Sequence, residues 1–143
     1  MFRQLSDNVW ASQQISLDDV ATAARDGFRL IINNRPEGES DDQTPGDAIA
    51  TAAKAAGLGY IAIPITHAGF SQPQVTAMIK ALGDGTGRIL AYCRSGTRST
   101  LLWALAQASE GADLDLITSQ AAAAGYDVTP VRPLMDMLAA QPR

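Results

Sequence analysis

At 143 residues, with 46% hydrophobic and 18% charged side chains, the chain has the size and balance of one globular domain with a single core. Its formal net charge of −4 opposes nucleic-acid phosphates and anionic lipid, so neither is expected as a partner. No apolar run approaches the roughly 20 residues of a membrane span, and the first residues lack the apolar core of a signal peptide, so a cytoplasmic location is the expectation.

Two short β-like pieces open the chain, at residues 2–5 and 9–11. Ser16 is the predicted N-cap of a helix starting at Leu17, with Asp18 and Asp19 in its first turn, and that helix stops near Gly27. The apolar run Phe28–Asn33 reads as a buried strand. Arg35 to Asp42 is a polar loop, punctuated by Pro36 and Gly38. Thr44 and Pro45 predict the cap and first position of an alanine-rich helix ending at Gly57. Residues 60–65 read as a second buried strand, followed by a loop with His67 and Gly69. Ser71 caps a helix over 72–82, residues 84–87 form a turn, and Arg88–Tyr92 is a third strand. Helices are predicted over 98–109, 113–124 and 133–140. Trp10, Trp103, Met135 and Met137 are expected to serve packing.

Strands alternating with helices imply parallel pairing in a layered α/β domain. In such open sheets the active site lies beyond the carboxyl ends of the strands. That rule gathers Asn33 to Arg35, Ile65 to Gly69 and Cys93 to Arg98 at one edge.

The segment Cys93-Arg94-Ser95-Gly96-Thr97-Arg98-Ser99 is the most informative. It joins an apolar strand to an apolar helix, so its consecutive N–H groups and the helix N-terminus converge as an anion-binding nest. A cysteine held there is favoured as the reactive thiolate. Gly96 permits a backbone conformation or close approach that a Cβ would block. Ser95, Thr97 and Ser99 offer hydroxyls, Arg94 can face a substrate, Arg35 can either face one or pair with Glu37 or Glu39, and Arg98 can clamp an oxyanion. As the only cysteine, Cys93 has no internal disulfide partner or resolving thiol, and a single histidine argues against a protein-only zinc site. A non-catalytic anion-binding module is the bland alternative.

The loop resembles two groups. Cysteine phosphatases place five residues between cysteine and arginine, whereas four separate Cys93 from Arg98, and Ser99 holds the phosphatase arginine slot. One position on a helix turns a side chain by about 100°. Cys-Arg-Ser-Gly-x-Arg-Ser also looks like the loop of rhodanese-type sulfurtransferases, in which the cysteine carries a persulfide. With Val9 to Ile15, Ile31 to Glu39 and Ala56 to Pro64, the chain resembles the bacterial beta-lactamase-hydrolase-like, phosphatase-like domain family.

The resemblance implies a single dual-specificity-phosphatase-like domain over residues 1–143, three-layered, with a mostly parallel central sheet. It implies a Cys93 nucleophile served by the loop amides; no cofactor is expected. It leaves open phosphoester hydrolysis through a phosphocysteine, or sulfur transfer through a Cys93 persulfide to an external thiol. A phosphatase needs an acid for its leaving group, yet residues 57–80 contain no Asp or Glu, and His67 is the one candidate there. Sulfite and thiolates leave without a strong acid, so sulfur transfer from a small anion such as thiosulfate or a persulfide is the favoured expectation.

Overall fold

The computed structural model describes residues 2–84 and 87–142. The chain opens with an antiparallel hairpin, β1 (Arg3–Ser6) and β2 (Val9–Ser12). Helix α1 (Leu17–Arg25) follows, started by a reciprocal capping box: Ser16 Oγ accepts from Asp19 N–H (3.1 Å) and Asp19 Oδ2 from Ser16 N–H (2.8 Å). Then come β3 (Phe28–Asn33), α2 (Gly46–Ala55), β4 (Gly59–Ala62), α3 (Gln72–Gly83) and β5 (Arg88–Tyr92). Helices α4 (Thr97–Ser109) and α5 (Leu114–Ala123), a 3-10 turn (Thr129–Val131) and α6 (Arg132–Ala140) complete the fold.

The sheet order is β1-β2-β5-β3-β4, parallel throughout except for the opening hairpin. Because side chains alternate along a strand, β5 serves two cores at once. Leu90 and Tyr92 join Ile31, Phe28, Val20, Ala23, Ile49 and Ala53 beneath α1 and α2. Ile89 and Ala91 face Val75, Met78, Leu102, Trp103, Leu105 and Met135 beneath α3, α4 and α6. Each such large side chain, once fully buried, stabilises the fold by about 1.5–3 kcal/mol. This is the three-layer, mostly parallel arrangement expected of a dual-specificity-phosphatase-like fold, and it puts the end of β5 in the middle of the carboxyl edge.

Several local expectations are corrected. Residues 60–65 do not form a buried strand: β4 stops at Ala62, and as the sheet's edge it is largely exposed, with Ile61 at 36%. Pro64 has no N–H to continue the ladder, although Ile63 and Ile65 N–H still reach the Asn33 and Asn34 carbonyls at 2.9 Å each. Thr44 does not cap α2: Pro45 holds the cap position, and Glu37 Oε1 reaches in to accept Gly46 N–H at 2.8 Å. Met135 is buried but Met137 faces solvent at 54%. In the predicted turn 84–87, Gly85 and Thr86 lie outside the described residues. Among the described residues, no helix is long and apolar enough to cross a membrane.

Candidate active site

Backbone hydrogen bonds stitch the loops together at the carboxyl edge. Cys93 N–H donates to Ser12 O (3.3 Å), Gln14 N–H to Arg94 O (3.2 Å) and Asn34 N–H to Tyr92 O (2.8 Å). The turns after β2 and β3 thereby meet the end of β5 and its loop, and the turn after β4 joins them where Arg98 Nη1 donates to Ile65 O, as the strand-end rule requires.

Cys93 is 0% exposed, at the floor of its loop. Its Sγ accepts the Gly96 N–H at 3.1 Å. Gly96 is left-handed (φ 94°) and caps α4, and its carbonyl accepts from Thr100 N–H (3.0 Å) and Thr100 Oγ1 (2.9 Å). That conformation turns the Gly96 amide back toward the sulfur while starting the helix behind it. A Cβ at Gly96 would collide with the Tyr126 hydroxyl as well as strain the backbone. Gly96→Ala is therefore expected to lower stability by about 1–2 kcal/mol and to slow alkylation of Cys93, both measurable on one purified variant by denaturant melts and thiol labelling.

Around the sulfur, Ser95 Oγ donates to Thr97 Oγ1 (3.0 Å) and accepts Thr97 N–H (3.4 Å); Arg94 and Ser95 are exposed. Ser99 is corrected as a substrate-facing residue: it is 0% exposed, with its hydroxyl unpartnered inside the protein. His67 sits in an exposed turn closed by Gly69 N–H to Thr66 O (3.2 Å).

The arginines are committed to one carboxylate. Arg98 Nη1 and Nη2 grip Glu39 Oε2 and Oε1 at 2.7 and 2.9 Å, and Nη1 also donates to Ile65 O at 2.7 Å. Arg35, 4% exposed, donates Nε–H to Glu39 Oε1 (2.9 Å), Nη1 to Gln14 Oε1 (3.0 Å) and Nη2 to Ser40 Oγ (3.1 Å). Both arginines thus brace the 35–40 loop against the cysteine loop, and of the two roles open to Arg35, substrate clamp or salt bridge to Glu37 or Glu39, the salt bridge to Glu39 is the one formed. The Arg98 hydrogen bond, opposed by burial and assisted by the Arg35 bond and both positive charges, lowers the Glu39 carboxyl from 4.5 to about 2. Arg98 is in turn held more firmly cationic, first by Glu39 and more weakly by the neighbouring Cys93 sulfur.

Gln14 and Tyr126 were not foreseen as parts of this site, and Glu39 was foreseen only as a partner of Arg35. Glu39 lies four residues after Arg35, a spacing that betrays the pair but not its second arginine. Tyr126 arrives from the turn after α5, and its hydroxyl donates to Ser95 O at 3.3 Å; no local signal marks it. Among the described residues, no cluster of three or more His, Cys, Asp or Glu is placed to hold a metal.

A family model described as the phosphatase-like domain of beta-lactamase hydrolase-like protein matches residues 1–110. The chain belongs to that family. This phosphatase-like domain is 35% identical over 107 residues to the beta-lactamase hydrolase-like protein of Xylella fastidiosa, matching 75% of the chain and 25% of that relative. The chain therefore spans about a quarter of the length of the curated relatives it matches. A crystal structure of a candidate phosphatase from Neisseria meningitidis superposes with a TM-score of 0.83 at 31% identity, covering 95% of this chain and 96% of that one. Kinase-associated phosphatase, solved with its catalytic-site cysteine replaced by serine, superposes at 0.73 with 15% identity, covering 99% and 96%. The last likeness concerns the fold alone. Together they give the phosphatase-like domain a dual-specificity-phosphatase-like architecture.

Proposed function

We propose that this domain is a cysteine-dependent enzyme in which Cys93 attacks a small anionic substrate, and that the group transferred is sulfur. The observation that carries the choice is the two-point grip of Glu39 on Arg98. A phosphoester dianion needs a free arginine fork and an acid for its leaving oxygen. Here the Nη1–Nη2 edge of the Arg98 fork is taken by Glu39, leaving only its Nε side toward a substrate, and Glu39 is held ionised far below neutral pH, so it has no proton to give.

Sulfur transfer needs neither. The Cys93 thiolate attacks the outer sulfur of thiosulfate or a persulfide; the S–S bond of the donor breaks, and sulfite or a thiolate departs with the electron pair. A Cys93 persulfide anion remains, stabilised by the loop amides. An external thiolate then takes the outer sulfur and restores the Cys93 thiolate. Arg94, Ser95, Gly96 and Thr97 border the substrate in this reading, with Arg98 beside the sulfur as an electrostatic support.

Phosphoester hydrolysis is the second reading, favoured by the phosphatase-like family and fold. In it Cys93 displaces an alcohol to form phosphocysteine, water releases phosphate, and His67 is the candidate acid. Parallel turnover assays separate the two. Sulfur transfer from thiosulfate or an alkyl persulfide to a thiol, exceeding release of an aryl alcohol from its phosphate, is expected; the opposite ratio overturns the proposal.

A further inference from the structure

Beside the cysteine loop lies a polar cleft of about 260 Å³, lined by Arg3, Gln13, Ser95, Thr97, Gly125 and Tyr126. We propose that this cleft is the subsite for a carboxylate on the substrate of Cys93, with Arg3 as its cation; this rests on Cys93 being the nucleophile.

Arg3 is ordered from two sides. Its Nη1 donates to Ala124 O at 3.0 Å, and its guanidinium carbon lies 5.6 Å from the centroid of the Tyr126 ring. An arginine fixed in this way has already lost much of the side-chain freedom that binding would otherwise remove. Among the described residues no carboxylate stands within salt-bridge distance of it, as is also true of Arg25, Arg29, Arg88 and Arg94, but of these Arg3 is the one that lines the cleft beside the cysteine loop. A cation held in place in a cleft walled by Ser95 and Thr97 of the cysteine loop suits an anionic group on the substrate.

The cleft is also tied to the reacting loop. The Tyr126 hydroxyl bonds Ser95 O and lies against Gly96, whose amide reaches Cys93 Sγ. Ser95 and Thr97 supply hydroxyls to the cleft wall. In this proposal a substrate reacting at Cys93 extends past Ser95 and Thr97 and places its carboxylate on the free edge of Arg3. The substrate class is a small carboxylate-bearing thiol in its persulfide form.

The test compares two disulfide reagents on Cys93: dithiobis(nitrobenzoate), which carries carboxylates, and dithiodipyridine, which does not. At low salt, Arg3→Gln is expected to lower the ratio of the two rate constants about fivefold, and salt should erase the difference between parent and variant. A ratio unchanged by the substitution overturns the subsite. Should Cys93 react with neither reagent, the nucleophile reading fails by itself. The subsite is then judged on Cys93→Ser protein by amide resonances of Gly125 and Tyr126 during titration with S-methyl mercaptosuccinate. Saturable shifts, absent in the Arg3→Gln double variant, uphold it; none with Arg3 in place overturn it.

Discussion

Cys93→Ser is expected to abolish turnover, lowering kcat by roughly a thousandfold or more, while the protein folds and melts much like the parent. The sulfur is the sole thiol of the chain, so no neighbour can replace it. Serine retains an acceptor for the Gly96 N–H and nearly the same volume, so the loop keeps its shape. The hydroxyl, with its far higher pKa, is a poor nucleophile at neutral pH without a general base. Binding and reactivity are thereby separated. The variant should still bind sulfate or thiosulfate through the loop amides, which calorimetry can follow. Wild-type turnover in the variant would mean that the chemistry belongs elsewhere.

Glu39→Gln carries the second large effect. One carboxylate neutralises two guanidinium groups, of which Arg35 is 4% exposed and Arg98 20%. Gln keeps an acceptor oxygen but leaves two partly buried cations facing each other without a counter-charge. Complete loss of a buried pair costs about 3–5 kcal/mol; with Glu39 itself 16% exposed, a loss of about 2–3 kcal/mol is expected, read by urea denaturation. The pH dependence has a definite sign. Because folding lowers the Glu39 carboxyl from 4.5 to about 2, its stabilisation is complete above the unfolded value and is lost as pH falls through the folded one. The difference in stability between parent and variant should therefore narrow between pH 4.5 and 2. A difference independent of pH would show that the ion pair is not its origin.

The architecture was readable because its signals are local and redundant. Phe28–Asn33 and Arg88–Tyr92 are short apolar runs buried on both faces of a parallel sheet, and the box of Ser16 and Asp19 announces its helix in sequence. Cys93 and Gly96 were readable for a similar reason: a strand, a tight turn and a helix follow one another within a few residues. The edge position of β4 was not, since apolarity alone does not tell which strand lacks a neighbour. Nor was the pairing of Arg98 with Glu39. The spacing of Arg98 from Cys93 spoke of an oxyanion clamp, while its partner Glu39 lies 59 residues away and meets it only once the sheet is assembled. Ser99 misled in the same way, because one further step along α4 turns a side chain from the loop's mouth into the core. Tyr126 and Arg3, brought together from opposite ends of the chain, leave no trace in any short motif.

The central claim is that the Cys93 sulfur performs the attack and carries the transferred group. Intact-protein mass spectrometry after brief exposure to thiosulfate or an alkyl persulfide, followed by removal of small molecules, addresses it most directly. The expected result is a gain of one sulfur atom per chain, located on the peptide containing Cys93, removed by an added thiol and absent in Cys93→Ser. No gain with either donor, together with a phosphoryl group trapped on Cys93 from an aryl phosphate, would contradict sulfur transfer; a gain on any other residue would contradict the role of Cys93 itself.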